Sequence, residues 1–253
     1  MKVKRWTQEA ECRTRIVSGR WTLGLVLSLA VSGGLNAQER YRMLYTFSGG
    51  ADGASPQYGA LAVSGGKLYG TAGAGSSGGN GVVFSLKENG TGYTVLHTFT
   101  GVAPDGAKPY GSVSVSGSTL YGTTYGGGSS GNGTVFKLGI NGSGFQTLHS
   151  FSTAAAYKPY STVVLQGGRL YGTTYYSSGG LGAVYALGVD GSGYTTLHTF
   201  AGGTDDGSRP MGGPLVVDGG VIYGTALHGG PASSSNDGLV YALSTNGSAY
   251  SNL

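Results

Sequence analysis

The sequence predicts an all-β fold of the β-propeller type, with four tandem four-stranded antiparallel blades of about 50 residues each. Three observations predict it: a repeat of that length, strand-like segments between turn residues, and abundant glycine. The tyrosine of an LYG-like triplet falls at Tyr69, Tyr121, Tyr171 and Tyr223, in steps of 52, 50 and 52 residues. Tandem repeats of this length are typical of propeller blades.

The second repeat unit shows the strand pattern most clearly. Residues that favour strands, either β-branched or aromatic, fill the segments YTVLHTF, SVSVSG, STLYGTTYG and GTVFKL. The loops between them contain turn pairs such as Asp105-Gly106 and Asn132-Gly133. Glycine accounts for 52 of the 253 residues and recurs at fixed places, where it allows backbones to approach closely. The alternative architecture is an open β-solenoid, whose coils are usually shorter, roughly 20–30 residues.

The repeat divides the chain into four complete units and the beginning of a fifth. The predicted boundaries are 41–92, 93–144, 145–193, 194–249 and 250–253. We expect the fifth unit to be truncated, because the sequence stops in the apolar middle of a predicted strand. The alternative is a ring of four units in which the strand beginning at Tyr41 completes the last blade, and such closure would remove an exposed strand edge that favours aggregation.

Residues 1–37 differ in kind from the repeats and predict a signal peptide that is removed on export. Six basic side chains precede the apolar segment WTLGLVLSLAV, and small residues follow up to Ala37. The apolar segment is too short to span a bilayer, which needs roughly 20 residues, so no transmembrane segment is expected in the mature chain. Because glutamates interrupt the basic region, a start near Val17 is the alternative to Met1. Export predicts a secreted, cell-surface or periplasmic protein.

The leader also dominates the charge and the cysteine content. It carries six of the 15 basic residues and two of the 11 acidic ones, which leaves nine of each in the mature chain. Nucleic-acid surfaces need clustered lysine and arginine, so no nucleic-acid partner is expected. The single cysteine, Cys12, also lies in the leader, so the mature chain has neither a thiol nor a disulfide.

A longer motif carries a resemblance to a known family. The segment LYGTTYGGG, followed by one like GNGTVFKL and by a turn leading to LHSF, resembles the Gloeo/Verruco (GloVer) tandem repeat of "choice-of-anchor" bacterial surface proteins. The resemblance covers roughly Tyr41 to Leu253. It implies an exported repeat protein with a propeller-like fold and without known catalytic residues.

The titratable residues do not form a recognisable catalytic set, so we expect a non-enzymatic protein. Histidines and aspartates recur at two fixed repeat positions: His97, His149 and His198, and Asp52, Asp105 and Asp206. A metal site needs several converging ligands, and an Asp-Gly pair is also an ordinary turn signal. These residues are therefore interpreted as strand and turn residues, and no metal or cofactor is expected.

Tyrosine remains the candidate for ligand binding, because exposed rings in loops can stack on sugars or anchor a protein partner. Six tyrosines lie in or beside predicted loops: Tyr110, Tyr125, Tyr157, Tyr160, Tyr175 and Tyr176. Packing between blades is the favoured role of these rings, since propeller sheets bury both faces. The predicted function is an exported interaction or structural module, with a glycan or a cell-surface protein as the candidate partner. The alternative is a lectin-like or carbohydrate-active propeller.

Overall fold

The computed structural model of the chain describes residues 42–56, 59–153, 155–203, 205–211, 213–230 and 237–253. The predicted signal peptide, the alternative start at Val17 and the residue Tyr41 lie outside this part. All regular elements in the described residues are β-strands, which confirms the all-β prediction. Among the same residues, no helix has the length and apolar character needed to cross a membrane.

The first two blades follow one another along the chain. Blade 1 contains β1 (Ala62–Ser64), β2 (Lys67–Ala72), β3 (Val82–Lys87) and β4 (Thr94–Thr98), hydrogen-bonded in that order. The segment of blade 2 contains β5 (Gly106–Ala107), β6 (Ser114–Ser116), β7 (Thr119–Thr124), β8 (Gly126–Gly127), β9 (Thr134–Gly139) and β10 (Gln146–Ser150). Its four main strands are β6, β7, β9 and β10, while β5 and β8 form a small separate ladder.

The last two blades repeat this plan. Blade 3 contains β11 (Ala156–Pro159), β12 (Val164–Gln166), β13 (Arg169–Ser177), β14 (Ala183–Gly188) and β15 (Thr195–Thr199). Here β11 adds to the four main strands by pairing with the extended end of β13. Blade 4 contains β16 (Val216–Asp218), β17 (Val221–Ala226), β18 (Leu239–Ser244) and β19 (Tyr250–Asn252). All the pairings are antiparallel, as predicted for tandem four-stranded blades.

Each sheet is offset by one strand from the repeat units of the sequence. The segment that opens the second unit forms β4 and pairs with β3 of the first unit. Likewise, β10 and β15 come from the beginning of a unit and complete the blade before it. Residues 42–47, the corresponding segment of the first unit, form no strand, since no sheet precedes them within the described residues. Each of these repeat units therefore contributes strands to two successive blades and links them.

The glycine of each LYG-like triplet makes room for an aromatic ring on the neighbouring strand. Gly122 of β7 lies directly opposite Phe136 of β9, and a Cβ on Gly122 would be only 2.5 Å from Cζ of that ring. The same close approach occurs in the other blades, between Gly70 and Phe84, Gly172 and Tyr185, and Gly224 and Tyr241. The ring occupies the volume that a side chain would fill, so any residue other than glycine would clash with the ring.

Apolar side chains hold successive blades together. We call the side of a blade that faces the next blade its trailing face, and the side that faces the previous blade its leading face. Tyr69 and Val83 on the trailing face of blade 1 pack with Val113, Leu120 and Phe136 on the leading face of blade 2. Equivalent residues form the cores between blades 2 and 3 and between blades 3 and 4. The protein core thus lies between the sheets.

The innermost strands of the four blades line a common cavity. These strands are β1, β6, β12 and β16, and residues in or beside each of them line a cavity of about 670 Å³. Thr71 and Thr123 donate hydrogen bonds to the carbonyls of Gly111 and Ser161 in the next blade, both at 2.9 Å. Sheets arranged in this way give a propeller-like architecture rather than a solenoid, as the sequence predicts.

A histidine or tyrosine at the same position of each repeat unit stacks on an aromatic ring of the next unit. His97 stacks on Phe145 of the next unit at a centroid distance of 3.7 Å, and its Nε2 lies 3.2 Å from Asp105 Oδ1. The other three units repeat the stack with the pairs Tyr45–Tyr93, His149–Tyr194 and His198–Tyr250. Aspartates also pair with Tyr45 and His198, at 3.0 and 2.9 Å.

The Asp105 carboxylate also accepts hydrogen bonds from the backbone N–H and the hydroxyl of Thr100, at 2.8 and 2.9 Å. Burial alone would raise the pKa of Asp105, but the hydrogen bonds from His97 and Thr100 outweigh burial and lower it. The third unit has no aspartate at this position, and burial lowers the pKa of His149 there. In the second unit, the hydrogen bonds of Asp105 therefore hold the loop that follows β4.

We predict that Gly122→Ala lowers the free energy of unfolding by about 1–3 kcal/mol, since the added methyl group overlaps the Phe136 ring. Equilibrium urea unfolding measures this change. Gly179→Ala is the matched control, because its Cβ would meet only the Ser177 hydroxyl, at 3.9 Å. Equal destabilisation by both substitutions would contradict the packing explanation.

We predict that Asp105→Asn destabilises the protein by roughly 1–2 kcal/mol at neutral pH, because the donors on His97 and Thr100 lose a charged acceptor. The pKa of Asp105 is lowered by folding, so its contribution is complete above the unfolded value of 3.8. The difference in unfolding free energy between variant and wild type should shrink as the pH falls through the folded-state pKa of Asp105. Urea unfolding at several pH values tests this, with the exposed Asp218→Asn as control. A difference that does not depend on pH would be inconsistent with the ionised carboxylate as its source.

Candidate ligand-binding surface

The six tyrosines selected from the sequence form one continuous set of ring contacts. In order of contact, this tyrosine row consists of Tyr110, Tyr125, Tyr160, Tyr175, Tyr176 and Tyr157. Neighbouring ring centroids lie 4.5–6.2 Å apart, which is the range of favourable aromatic pairs. All six side chains are half-buried, so each has both a packed side and an accessible side.

The local chain geometry explains why these rings meet. Tyr110 and Tyr160 each follow a proline that leads into an innermost strand, and the residues before those prolines, Lys108 and Lys158, have φ of 58° and 60°. This left-handed backbone turns the chain sharply at the rim of the blade. It is held by backbone hydrogen bonds, including one from Tyr125 N–H to Lys108 O at 2.9 Å. The same turn occurs at Ser55 and Arg209 in the other blades.

The remaining rings are placed by strand pairing and by a glycine. Tyr157 of β11 lies opposite Tyr176 of β13, and the two rings stack at a centroid distance of 5.3 Å. At the other end of the row, a Cβ on Gly73 of blade 1 would lie 2.8 Å from Cδ1 of Tyr110. The row therefore begins against blade 1 and crosses blades 2 and 3. It contacts neighbouring blades through the packed sides of its rings.

Two cations, not identified from the sequence, complete the row. Lys158 Nζ lies 4.9 Å from the centroid of Tyr125, and the Arg209 guanidinium carbon lies 5.4 Å from that of Tyr175. Each cation belongs to the blade after the one that supplies the ring, so the pairs bridge blades. Lys108, Lys158 and Arg209 all directly precede a proline in the repeat. That regularity is visible in the sequence and could have indicated them.

The electrostatic environment of the row reflects partial burial and crowding. Burial raises the pKa of Tyr125, and the nearby Tyr176, Tyr110 and Tyr175 raise it further. Burial and the neighbouring Lys108 lower the pKa of Lys158. The Lys158 ammonium also donates a hydrogen bond to Gly131 O at 2.9 Å. The surface thus combines neutral phenols, which donate and accept hydrogen bonds, with positive charge.

The row adjoins the cavity between the innermost strands. Tyr160 belongs to both features, since it contacts Tyr110 and Tyr125 and also lines the cavity. Met211 and Pro214 of blade 4 line the same cavity. A ligand lying along the row would therefore have access to the cavity mouth at Tyr160.

The recurring histidines and aspartates do not converge on one point. Asp105 and Asp206 are bound to the histidines of their own units and to nearby backbone N–H groups. In the part of the chain that the structure describes, no group of three or more histidine, cysteine, aspartate or glutamate side chains could hold a metal ion. The hydrogen bonds of Asp105 and Asp206 hold the loops in which these aspartates lie.

The sequence profile of the Gloeobacter/Verrucomicrobia repeat matches residues 18–177 and 57–253. The chain belongs to this repeat family. The match spans the units described above and confirms the resemblance drawn from LYGTTYGGG and the segments after it. Among curated proteins, none matches the chain significantly.

Several solved structures resemble the fold of this family member at low sequence identity. The Niastella koreensis GH74 enzyme matches with a TM-score of 0.50 and 18% identity, over 77% of this chain and 29% of that one. TolB from Acinetobacter baumannii matches with a TM-score of 0.49 and 16% identity, over 79% and 42%. A chain of the nidogen/laminin complex gives 0.45 and 12%, over 74% and 60%. The chain spans at most 60% of the length of these three proteins.

Proposed function

We propose that this repeat protein is an exported, non-enzymatic binding module whose contact surface is the tyrosine row. The observation that carries the proposal is the continuity of six half-buried rings across two blades. Half-buried tyrosines provide large, rigid contact areas, and little conformational entropy is lost when they bind a partner. Because strands and prolines fix the rings, the row is already arranged before a ligand arrives.

An acidic glycan is the ligand whose chemistry best matches this surface. Phenol rings stack on the apolar faces of pyranose units, and their hydroxyls can hydrogen-bond to sugar hydroxyls. Lys158 and Arg209, which lie over two rings of the row, can pair with carboxylates spaced along a polysaccharide. A row of rings suits an extended chain better than a compact ligand.

We predict that oligogalacturonates bind the purified protein and that Tyr160→Ala weakens binding roughly tenfold, a loss of about 1.4 kcal/mol. Tyr160 is chosen because its ring contacts Tyr110, Tyr125 and Tyr175 and is thus central to the row. Isothermal titration calorimetry with oligosaccharides of defined length measures the affinity. Arg209→Gln should weaken binding of the acidic oligosaccharide and leave binding of a neutral cello-oligosaccharide unchanged.

Val102→Ala is the matched control, since Val102 is 71% exposed and lies in a loop outside the row. It should bind like the wild type. Binding that survives Tyr160→Ala and Tyr125→Ala would refute the assignment of the surface. Release of shorter oligosaccharides during incubation would instead establish a carbohydrate-active enzyme and overturn the non-enzymatic proposal.

Export is proposed from the basic and apolar pattern of residues 1–37. We predict that cells making the full chain release or display a mature protein whose N-terminus is Gln38. Cell fractionation followed by N-terminal sequencing tests this prediction. Replacing two leucines of the apolar segment, Leu25 and Leu27, by arginine should keep the protein in the cytoplasm. A cytoplasmic wild-type protein that retains its leader would contradict export.

A further inference from the structure

The trailing face of blade 4 is uncovered, although the same face is buried in every other blade. Tyr223 is 38% exposed, whereas its equivalents Tyr69, Tyr121 and Tyr171 are between 2% and 8% exposed. Val240 is 47% exposed, and the corresponding valines of the other blades, Val83, Val135 and Val184, are fully buried. Thr225 is likewise exposed, whereas Thr71, Thr123 and Thr173 are buried. This face has the composition of an interface and lacks a partner within the described residues.

The leading face of blade 1 shows the complementary gap. Leu61 is 48% exposed, while its equivalents in the following blades, Val113, Val163 and Leu215, are no more than 4% exposed. In blades 2 to 4 these residues pack against the tyrosine and valine of the preceding trailing face. The chain therefore carries both halves of an interface that it already forms three times internally.

We propose that the trailing face of blade 4 binds the leading face of blade 1 in a second copy of the chain, head to tail. The partner's chemistry follows from the three internal examples, in which a Tyr–Val surface receives a branched apolar residue and an aromatic ring from the next blade. Contiguous exposed apolar surface of this kind marks an interaction site. Contact between two different faces is heterologous, so it produces either a closed ring of copies or a longer chain.

The leading face of blade 1 also includes an aromatic ring from the residues before its first strand. Phe47 packs edge-on against Phe84, as Phe99 packs against Phe136 in the next blade. The surface offered to a partner therefore has the same ring arrangement as the internal interfaces.

The test uses one charged substitution on each face. Sedimentation velocity of the purified wild-type protein should show assemblies of two or more copies, increasing with concentration. Leu61→Asp and Val240→Asp should each be monomeric, because each lacks one of the two required faces. Val102→Asp is the matched control, since Val102 is 71% exposed in a loop away from both faces, and it should assemble like the wild type.

Mixing the two monomeric variants is the decisive experiment. The intact trailing face of Leu61→Asp can bind the intact leading face of Val240→Asp, so the mixture should form a one-to-one dimer and nothing larger. Thr225→Arg provides a second trailing-face variant with the same expected behaviour, and unfolding midpoints confirm that each variant is folded. A monomeric wild type, a Leu61→Asp variant that still self-associates, or a mixture that stays monomeric would each overturn the proposal.

Discussion

The structure depends on the close approach between the glycine of the LYG-like triplet and the aromatic ring opposite it. In blade 2, the Phe136 ring lies where a side chain on Gly122 would be, and the other blades repeat this contact. The ring lies across that gap and joins the apolar core between two sheets. One residue without a side chain therefore allows the packing that joins each blade to the previous one.

The offset between sequence repeats and sheets makes neighbouring blades depend on each other. An outer strand such as β4 is encoded at the start of one unit and completes the sheet of the unit before. The ring near its end, such as His97, then stacks on the following unit and pairs with an aspartate in the next loop. A single unit cannot satisfy these contacts, so stability requires neighbouring units, as in other repeat proteins.

A scaffold of this kind leaves the rim free to vary. The left-handed turns before the prolines recur in all four blades, yet the residues there are Ser55, Lys108, Lys158 and Arg209. Among the described residues, only blades 2 and 3 contribute rim tyrosines that meet across the blade boundary. The half-buried rings and nearby cations on this rim form the surface proposed to bind a ligand, whereas the buried strands carry the fold.

Much of this protein followed from the sequence by itself. The spacing of Tyr69, Tyr121, Tyr171 and Tyr223 determined the number and length of the repeats, because tandem copies of one unit must adopt similar local structure. Alternating turn pairs and β-branched residues placed the strands within each unit. The six loop tyrosines could also be selected, since rings beside turns are readily accessible.

Only the tertiary structure decided which units share a sheet and which side chains meet. The sequence does not reveal that β4 leaves its own unit, because backbone pairing with β3 depends on where the chain returns in space. For the same reason it did not identify the pairing of His97 with Asp105, or of Lys158 with Tyr125. The uncovered face at Tyr223 and Val240 likewise has the same residues as its buried counterparts. Exposure depends on which neighbours are present, and local sequence does not encode that.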